Sequence, residues 1–526
     1  MLLLFAALQA ATPAQPGSSP LTNERLDRRP PVPEVVQPAP DQIASVAAAG
    51  SDEPIRTIVF QGTEAPKAVA DAASAFIGRP ASRQTLVELA GALSRAYERT
   101  NVALYTVAIP DQDLSDGILA VELIEGWVDR VAVSDSSGRP NSLLEAYAQN
   151  LVGEKPLTRR RFERQSSLMQ SIPGLELEAA MDNPEGDDSV QLTLTPRQKR
   201  AEGALGINNR GPNLLGNTVL QAGLDFYRLL MDGDQLSFSG YATPNFRNYR
   251  AVDATYAVPI GSTGLRLSAT GGWIGTKARK IDAKGNAEFA GMTVSYPILR
   301  EARRAADISF GVDGVNSNNA LFGNIFSTER TRAARLAGAY VAATETSNLQ
   351  LSATLSRGLD IFRSDVGDTG AQVGFTKVSA TAAFEQRLAK RFFGRATAMA
   401  QYSKSRLPAS ELLSFGGAVI GRAFNTGIVT GDRGIGAVGE LAFRPIRGGS
   451  FAKSELYAFV DAATLRLNRR LVFPSQKYSL ASAGVGVRAN YKEKMQFGME
   501  AAKVLDKPFA GYDDEFRTSF YYSILF

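Results

Sequence analysis

The chain contains no cysteine and no histidine. Without histidine there is no Ser-His-Asp triad, no HExxH zinc site and no imidazole acid-base chemistry. Without cysteine there is no thiol nucleophile, iron–sulfur cluster, zinc finger or disulfide. That suits a chain that stays unfolded while crossing an oxidising periplasm. Long apolar runs are also missing: none reaches the roughly 18 residues that a transmembrane helix needs. Neither sign of charge dominates, with 58 Lys and Arg against 53 Asp and Glu for a net +5 over 526 residues, and no basic run alternates with aromatics. Nucleic acid is therefore not an expected partner. No spacing of acidic residues implies a metal, a cofactor or a catalytic group. Asp187-Asp188 and Asp513-Asp514 lie in expected turns, and the chain reads as a non-enzyme.

What is present divides the chain in two. Met1–Ala11 is an apolar run followed by small residues, so segment 1–20 resembles a secretory signal without its basic start. Segment 21–54 holds a possible short helix at Leu21–Arg29, then a Pro-rich linker. Residues 55–126 read as β-α-α-β-β. Leu86, Leu89, Ala90, Leu93, Ala96 and Tyr97 fall at helical spacing behind Ser82, an expected N-cap. The same order returns in 127–198, where Thr158 is the expected cap of a helix stopped by Pro173-Gly174. Arg159, Arg160, Arg161 and Arg164 crowd that helix start, where the macrodipole disfavours cations. They form either a solvated face or a surface for an acidic or extended substrate.

From about residue 199 the period becomes two. Sixteen strands are expected up to Phe526, separated by alternately short turns and longer loops. Val485, Val487, Ala489 and Tyr491 share one face; Gly486, Arg488 and Asn490 take the other. The last strand places Phe516, Phe520, Tyr522, Ile524 and Phe526 together. Apolar-out, polar-in strands of about ten residues, even in number and aromatic at the end, fit an outer-membrane barrel. Soluble barrels and sandwiches alternate in the same way. Tyr522, Ile524 and Phe526 are the expected barrel assembly signal. Only a closed barrel satisfies every backbone polar group in lipid without long apolar helices. The helical first 200 residues then belong in the periplasm.

A glycine-rich stretch, 415–433, interrupts the strands. A loop of that length usually has its own task. Gly434 to Gly439 matches GxGxxG, but it alternates as a strand with no helix after it, so a nucleotide site is not expected. Tyr457, Phe459 and Asp461 share a face opposite Leu456, Ala458 and Val460, which points Asp461 into the lumen.

Several stretches together resemble the outer-membrane transporters of two-partner secretion, the TpsB or ShlB/FhaC/HecB family of the Omp85 superfamily. Ile109-Pro110-Asp111 through Leu114, Asp116-Gly117 and Glu125-Gly126 resemble the end of its first POTRA domain. Ser171-Ile172-Pro173-Gly174 resembles the second. Gly206 through Gly211 resembles the first barrel strand and turn. Phe415-Gly416-Gly417, Gly421-Arg422-Ala423-Phe424, Gly431-Asp432-Arg433-Gly434 and Glu440-Leu441 resemble the sixth-loop block, and Phe459-Val460-Asp461 the inner-wall motif. Ala423 and Ala463 stand where that family usually has glycine.

The resemblance implies α+β POTRA domains at 55–126 and 127–198, then a membrane-spanning antiparallel β-barrel of sixteen strands at 199–526. It implies that loop 415–433 folds inward and that Arg422 pairs with Asp461, in a lock that includes Gly421, Phe424 and Phe459. The expected function is export of a large secreted protein, bound unfolded by the POTRA domains, across the outer membrane of a Gram-negative bacterium. The implied partners are that cargo, outer-membrane lipid and the barrel-assembly machinery. The alternatives are an Omp85-type assembly factor and a diffusion porin.

Overall fold

The structure is a computed structural model that describes residues 44–134, 140–183, 188–322, 324–471 and 473–526. The signal-like segment, the Leu21–Arg29 helix, most of the linker and Asp187 lie outside the described residues.

The chain divides into two compact units, one of which is essentially residues 33–199. Within it, β1 (Ala44–Val46), β2 (Thr57–Gly62), α1 (Lys67–Ser74), α2 (Arg83–Tyr97), β3 (Tyr105–Ile109) and β4 (Ile118–Glu125) follow in order. The sheet order is β1-β3-β4-β2. The apolar stripe of α2 is buried in one core with Val107, Ile109, Leu119, Val121 and Leu123. Ser82 caps α2 by accepting the Thr85 N–H at 3.3 Å. The second half repeats the design with β5 (Trp127–Val133), α3 (Ser142–Gln149), α4 (Arg159–Gln170), β6 (Leu175–Asp182) and β7 (Ser189–Gln198). Its order, β5-β7-β6, matches β2-β4-β3 of the first half.

One expected cap differs. Thr158 occupies the N-cap of α4 without a capping bond from its side chain. Its hydroxyl donates to Glu154 at 3.1 Å instead, and Asn101 Oδ1 accepts the Arg160 N–H at 3.3 Å. The charge-assisted bond to Glu154 turns the hydroxyl toward that carboxylate and away from the first-turn N–H groups.

The other unit is a closed barrel of sixteen strands. Its first half is β8 (Ala201–Asn208), β9 (Val219–Tyr227), β10 (Gln235–Ala242), β11 (Tyr249–Ile260), β12 (Leu265–Lys277), β13 (Ala283–Arg300), β14 (Arg304–Leu321) and β15 (Asn324–Ala343). Then come β16 (Ser347–Gly358), β17 (Thr376–Arg387), β18 (Phe392–Tyr402), β21 (Arg433–Phe443), β22 (Glu455–Leu467), β23 (Gln476–Tyr491), β24 (Met495–Asp506) and β25 (Phe516–Leu525). Each is antiparallel to its neighbour, and β25 closes the ring on β8 through Tyr521–Leu525 against Ala204–Asn208. Beyond that register Gly203 and Phe526 exchange backbone hydrogen bonds at 2.8 and 3.0 Å, which extends the closure to Phe526. Tyr522 and Ile524 lie in it opposite Ile207 and Leu205.

Exposure follows the alternation. Leu456, Val460, Val485 and Phe516 are at least half exposed, whereas Glu455, Tyr457, Phe459 and Asp461 between them are buried. An apolar belt on the outside of a closed sheet is stable only against lipid. Among the described residues no helix is long and apolar enough to cross a membrane. The segment 434–439 is plain strand within β21, paired on both sides.

Candidate functional site

The loop between β18 and β21 folds back into the barrel. It carries its own hairpin, β19 (Leu413–Phe415) against β20 (Val429–Gly431). The turn between them depends on left-handed backbone: Gly416 has φ +101 and Gly421 φ +82. A Cβ at Gly416 would lie 2.3 Å from the Asn425 carbonyl oxygen, so only glycine fits. Phe415, Ile420, Ala423 and Phe424 are buried in one cluster with Tyr457, Phe459 and Leu480 of the wall.

The structure brings Gly421, Arg422, Phe424, Phe459 and Asp461 together, but the ionic partners differ from the expected pair. The guanidinium of Arg422 pairs with Glu440 and Glu500, each at 3.1 Å, and stacks 4.5 Å over the Phe459 ring. Asp461 instead accepts the backbone N–H of Arg422 at 3.1 Å and the Ser482 hydroxyl at 2.7 Å. The short aspartate reaches the turn's backbone, and the long arginine side chain passes over it to the next carboxylates. Ala423 donates its N–H to the Ser482 hydroxyl at 3.3 Å. Both alanines that replace glycine in the resemblance are buried without displacing these bonds.

The seat is wider than these five residues. Arg488 donates to Glu440 at 2.6 and 2.7 Å and lies 3.8 Å over Tyr457. Arg395 bridges Glu385, Glu440 and Glu455 at 2.7–2.8 Å. Arg210, in the first loop after β8, pairs with Glu500 and donates to the carbonyls of Gly417 at 2.8 Å and Arg422 at 3.2 Å. Alternation alone places Glu440 and Glu500 in the lumen, but nothing in it separates them from other lumenal carboxylates. Arg210 stood inside a stretch already noted for its resemblance, with no role attached.

The α4 arginines form a different arrangement. Arg159 donates to the Val102 carbonyl at 3.3 Å. Arg161 donates to the Asn150 carbonyl and lies 3.8 Å from Glu154. Arg160 is exposed and Arg164 half-buried. Two of the four thus tie α4 to neighbouring backbone. Among the described residues no cluster of side chains could hold a metal ion.

Fold and site define a class: an outer-membrane β-barrel with POTRA domains in the periplasm and a loop locked in its lumen. The family model for haemolysin secretion/activation protein ShlB/FhaC/HecB matches residues 186–489, and the model for the ShlB-type POTRA domain matches 54–126. The chain belongs to the ShlB/FhaC/HecB family. It is 24% identical to the outer membrane transporter CdiB of Escherichia coli over 370 residues, 66% of this chain and 61% of that protein. It is 20% identical to the heme/hemopexin transporter protein HuxB of Haemophilus influenzae over 244 residues, 45% of this chain and 43% of the relative. The chain thus matches about half the length of these relatives.

Among solved structures, CdiB from Escherichia coli superposes with a TM-score of 0.69 at 19% identity, covering 99% of this chain and 98% of that one. CdiB from Acinetobacter baumannii gives 0.65 at 16%, covering 99% of each. BamA from Haemophilus ducreyi, lacking POTRA domains 1–3, gives 0.56 at 15%, covering 90% and 100%. These likenesses are of fold.

Proposed function

We propose that this chain is the pore-forming partner of a two-partner secretion system, exporting one large secreted protein that it binds unfolded. The observation that carries the proposal is the inserted loop: a closed barrel whose lumen is filled by a segment held through polar contacts to the wall. The segment's charged and backbone contacts can be exchanged for water when it leaves, and withdrawal costs only the burial of a few apolar side chains, Phe415, Ile420 and Phe424 among them. Family membership and the relatives named as transporters support the same reading.

The cargo enters as extended chain. Strand β6 lies at the edge of its sheet, with exposed and half-buried residues alternating along it. Such an edge suits β-augmentation by an extended peptide. Arg160, the exposed member of the basic cluster, is best placed to meet that cargo. Residues 55–126 and 127–198 act as the two POTRA domains. Gly421, Arg422, Phe424, Phe459 and Asp461 hold the loop at rest, and the Tyr522–Phe526 end guides insertion by the barrel-assembly machinery into outer-membrane lipid. Folding of the cargo outside the cell supplies direction; equal export of a permanently unfoldable cargo would contradict that step.

The test is co-expression with any large open reading frame encoded beside this gene. Its product should reach the medium only when this chain is present. Secretion that persists without the chain would overturn the proposal. The BamA-like fold keeps a second reading in view, that of an assembly factor. Depletion should then lower many outer-membrane proteins at once rather than one secreted product.

A further inference from the structure

The inserted loop meets the wall in two places, and the two differ in what withdrawal would leave behind. At the tip, the wall groups are Glu440, Glu500 and Asp461. Each has a standing partner that does not belong to the loop. Glu440 keeps Arg488 and Arg395. Glu500 keeps Arg210 and the Tyr457 hydroxyl, which donates at 3.0 Å. Asp461 keeps the Ser482 hydroxyl. Removing the tip leaves both glutamates paired with cations, and leaves Asp461, which has no ion pair with the loop to lose, bonded to Ser482.

The root is built the other way. Glu411 lies just before β19 and pairs with Lys377 of β17 and Arg335 of β15, each at 2.7 Å. Lys377 is fully buried, and among the described residues its bonds end on the Glu411 carboxylate and the Glu411 carbonyl. Ala409 donates its N–H to Glu329 at 2.9 Å. Leu407 is fully buried against Ala333 and Phe375. On the return side Asp432, also fully buried, accepts the N–H groups of Leu407 at 2.6 Å and Asn468 at 2.7 Å, and pairs with Arg470 at 2.8 Å. Gln401 of β18 donates to the carbonyls of both Glu411 and Asp432, at 3.1 and 3.3 Å, and so clamps the two legs side by side. Pulling the root free would leave Lys377 as an uncompensated buried charge and would part Asp432 from Arg470, the costly way to break an ion pair.

We propose that the plug is a hinged flap. Residues 413–431 swing out, turning at Leu412 and at Asp432, while 403–412 and Asp432 stay bonded to β15, β17, β18 and the loop after β22. The inference deepens the secretion reading and rests on it for the cargo. The open channel then lies along the wall formed by β21 to β24, past Glu440, Arg488 and Glu500, and the root remains as a fixed lining on the opposite side.

The absence of cysteine makes a direct test possible. One variant pairs T331C with S410C at the root, where the native hydroxyls are 3.3 Å apart. Another pairs N425C with D514C at the tip, where the native side chains are 3.4 Å apart. Each full-length protein is compared oxidised and reduced, for channel openings in planar bilayers and for export of the co-expressed cargo. The oxidised root pair should open and export like its own reduced form. The oxidised tip pair should do neither until reduced. Loss of openings in the oxidised root pair, or normal openings in the oxidised tip pair, would overturn the flap. Should a pair fail to assemble, single variants decide. During voltage-driven opening an extracellular impermeant maleimide should label A423C and spare L407C, both buried at rest; labelling of both would mean that the whole loop leaves. Openings need no cargo, so a chain that opens by its tip but exports nothing contradicts the secretion reading and leaves the hinge standing.

Discussion

Arg422 and Arg488 share a carboxylate, Glu440, yet their loss should have different consequences. In Arg422→Ala, Glu440 and Glu500 keep their wall partners, so the barrel should unfold at the same denaturant concentration as the parent while export falls sharply for want of a seated plug. In Arg488→Ala, Glu440 and Glu455 lose a partner within the wall itself. Both keep Arg395, so the loss should stay below the about 3–5 kcal/mol of a buried charge left alone, and the variant should lose its heat-modifiable mobility at a somewhat lower temperature. Equal stability of the two variants would contradict the separation between wall and plug. A second residue-scale expectation concerns Glu125 in β4. Burial raises its carboxyl above the ordinary value of 4.5, opposed by the Tyr97 hydroxyl, which donates to it at 3.2 Å. A carboxyl raised on folding stabilises fully below its unfolded value and loses that contribution as pH rises through its folded value. Amide protection along α2, corrected for intrinsic exchange, should therefore weaken as pH rises from about 4.5 through the raised value. Glu125→Gln should flatten that dependence.

At the scale of elements, the inserted hairpin depends on turns that only glycine makes. Gly416→Ala meets both a left-handed φ of +101 and a carbonyl oxygen at 2.3 Å, so the tip should lose its shape and channel openings should become more frequent than in the parent. Gly240, in the middle of β10, has nothing within 4 Å of an added Cβ. Gly240→Ala should leave openings unchanged and add up to about 1 kcal/mol of stability. Equal openings in the two variants would deny the turn its role. The strands themselves were legible because a period of two needs only local sequence: the count of sixteen is the one observed, and the last strand runs over Phe516–Leu525 with the alternation expected of it. The lock was legible only in part. Its arginine stands out between small and aromatic neighbours, Gly421, Ala423 and Phe424, and inward alternation selects Asp461. The choice among Asp461, Glu440 and Glu500 is made by reach across four strands, and no local pattern encodes it. Glu411 was missed for the same reason, since Lys377 and Arg335 lie 34 and 76 positions away and meet it only through barrel closure. The Thr158 cap failed because Glu154, four residues earlier, competes for its hydroxyl.

For the barrel as a whole, the hydrogen-bonded ring is complete without the plug. β18 pairs directly with β21 from Phe392–Phe443 to Gln401–Gly434, so the intervening loop contributes no rung to the closure. A barrel held by its own ladder should tolerate shortening of that loop, provided that the root remains to satisfy Lys377 and Asp432. The register supplies the place to cut, because Phe415 and Val429 face each other at the end of the inserted hairpin. Replacing 416–428 with an Asn-Gly turn, which suits a two-residue hairpin, should yield protein that still shifts on heating like a folded barrel. In planar bilayers it should carry a large steady conductance where the parent is mostly closed. If the shortened protein assembles but conducts no more than the parent, then residues 416–428 are not what fills the resting lumen, and the lock of Arg422 serves the fold rather than the gate.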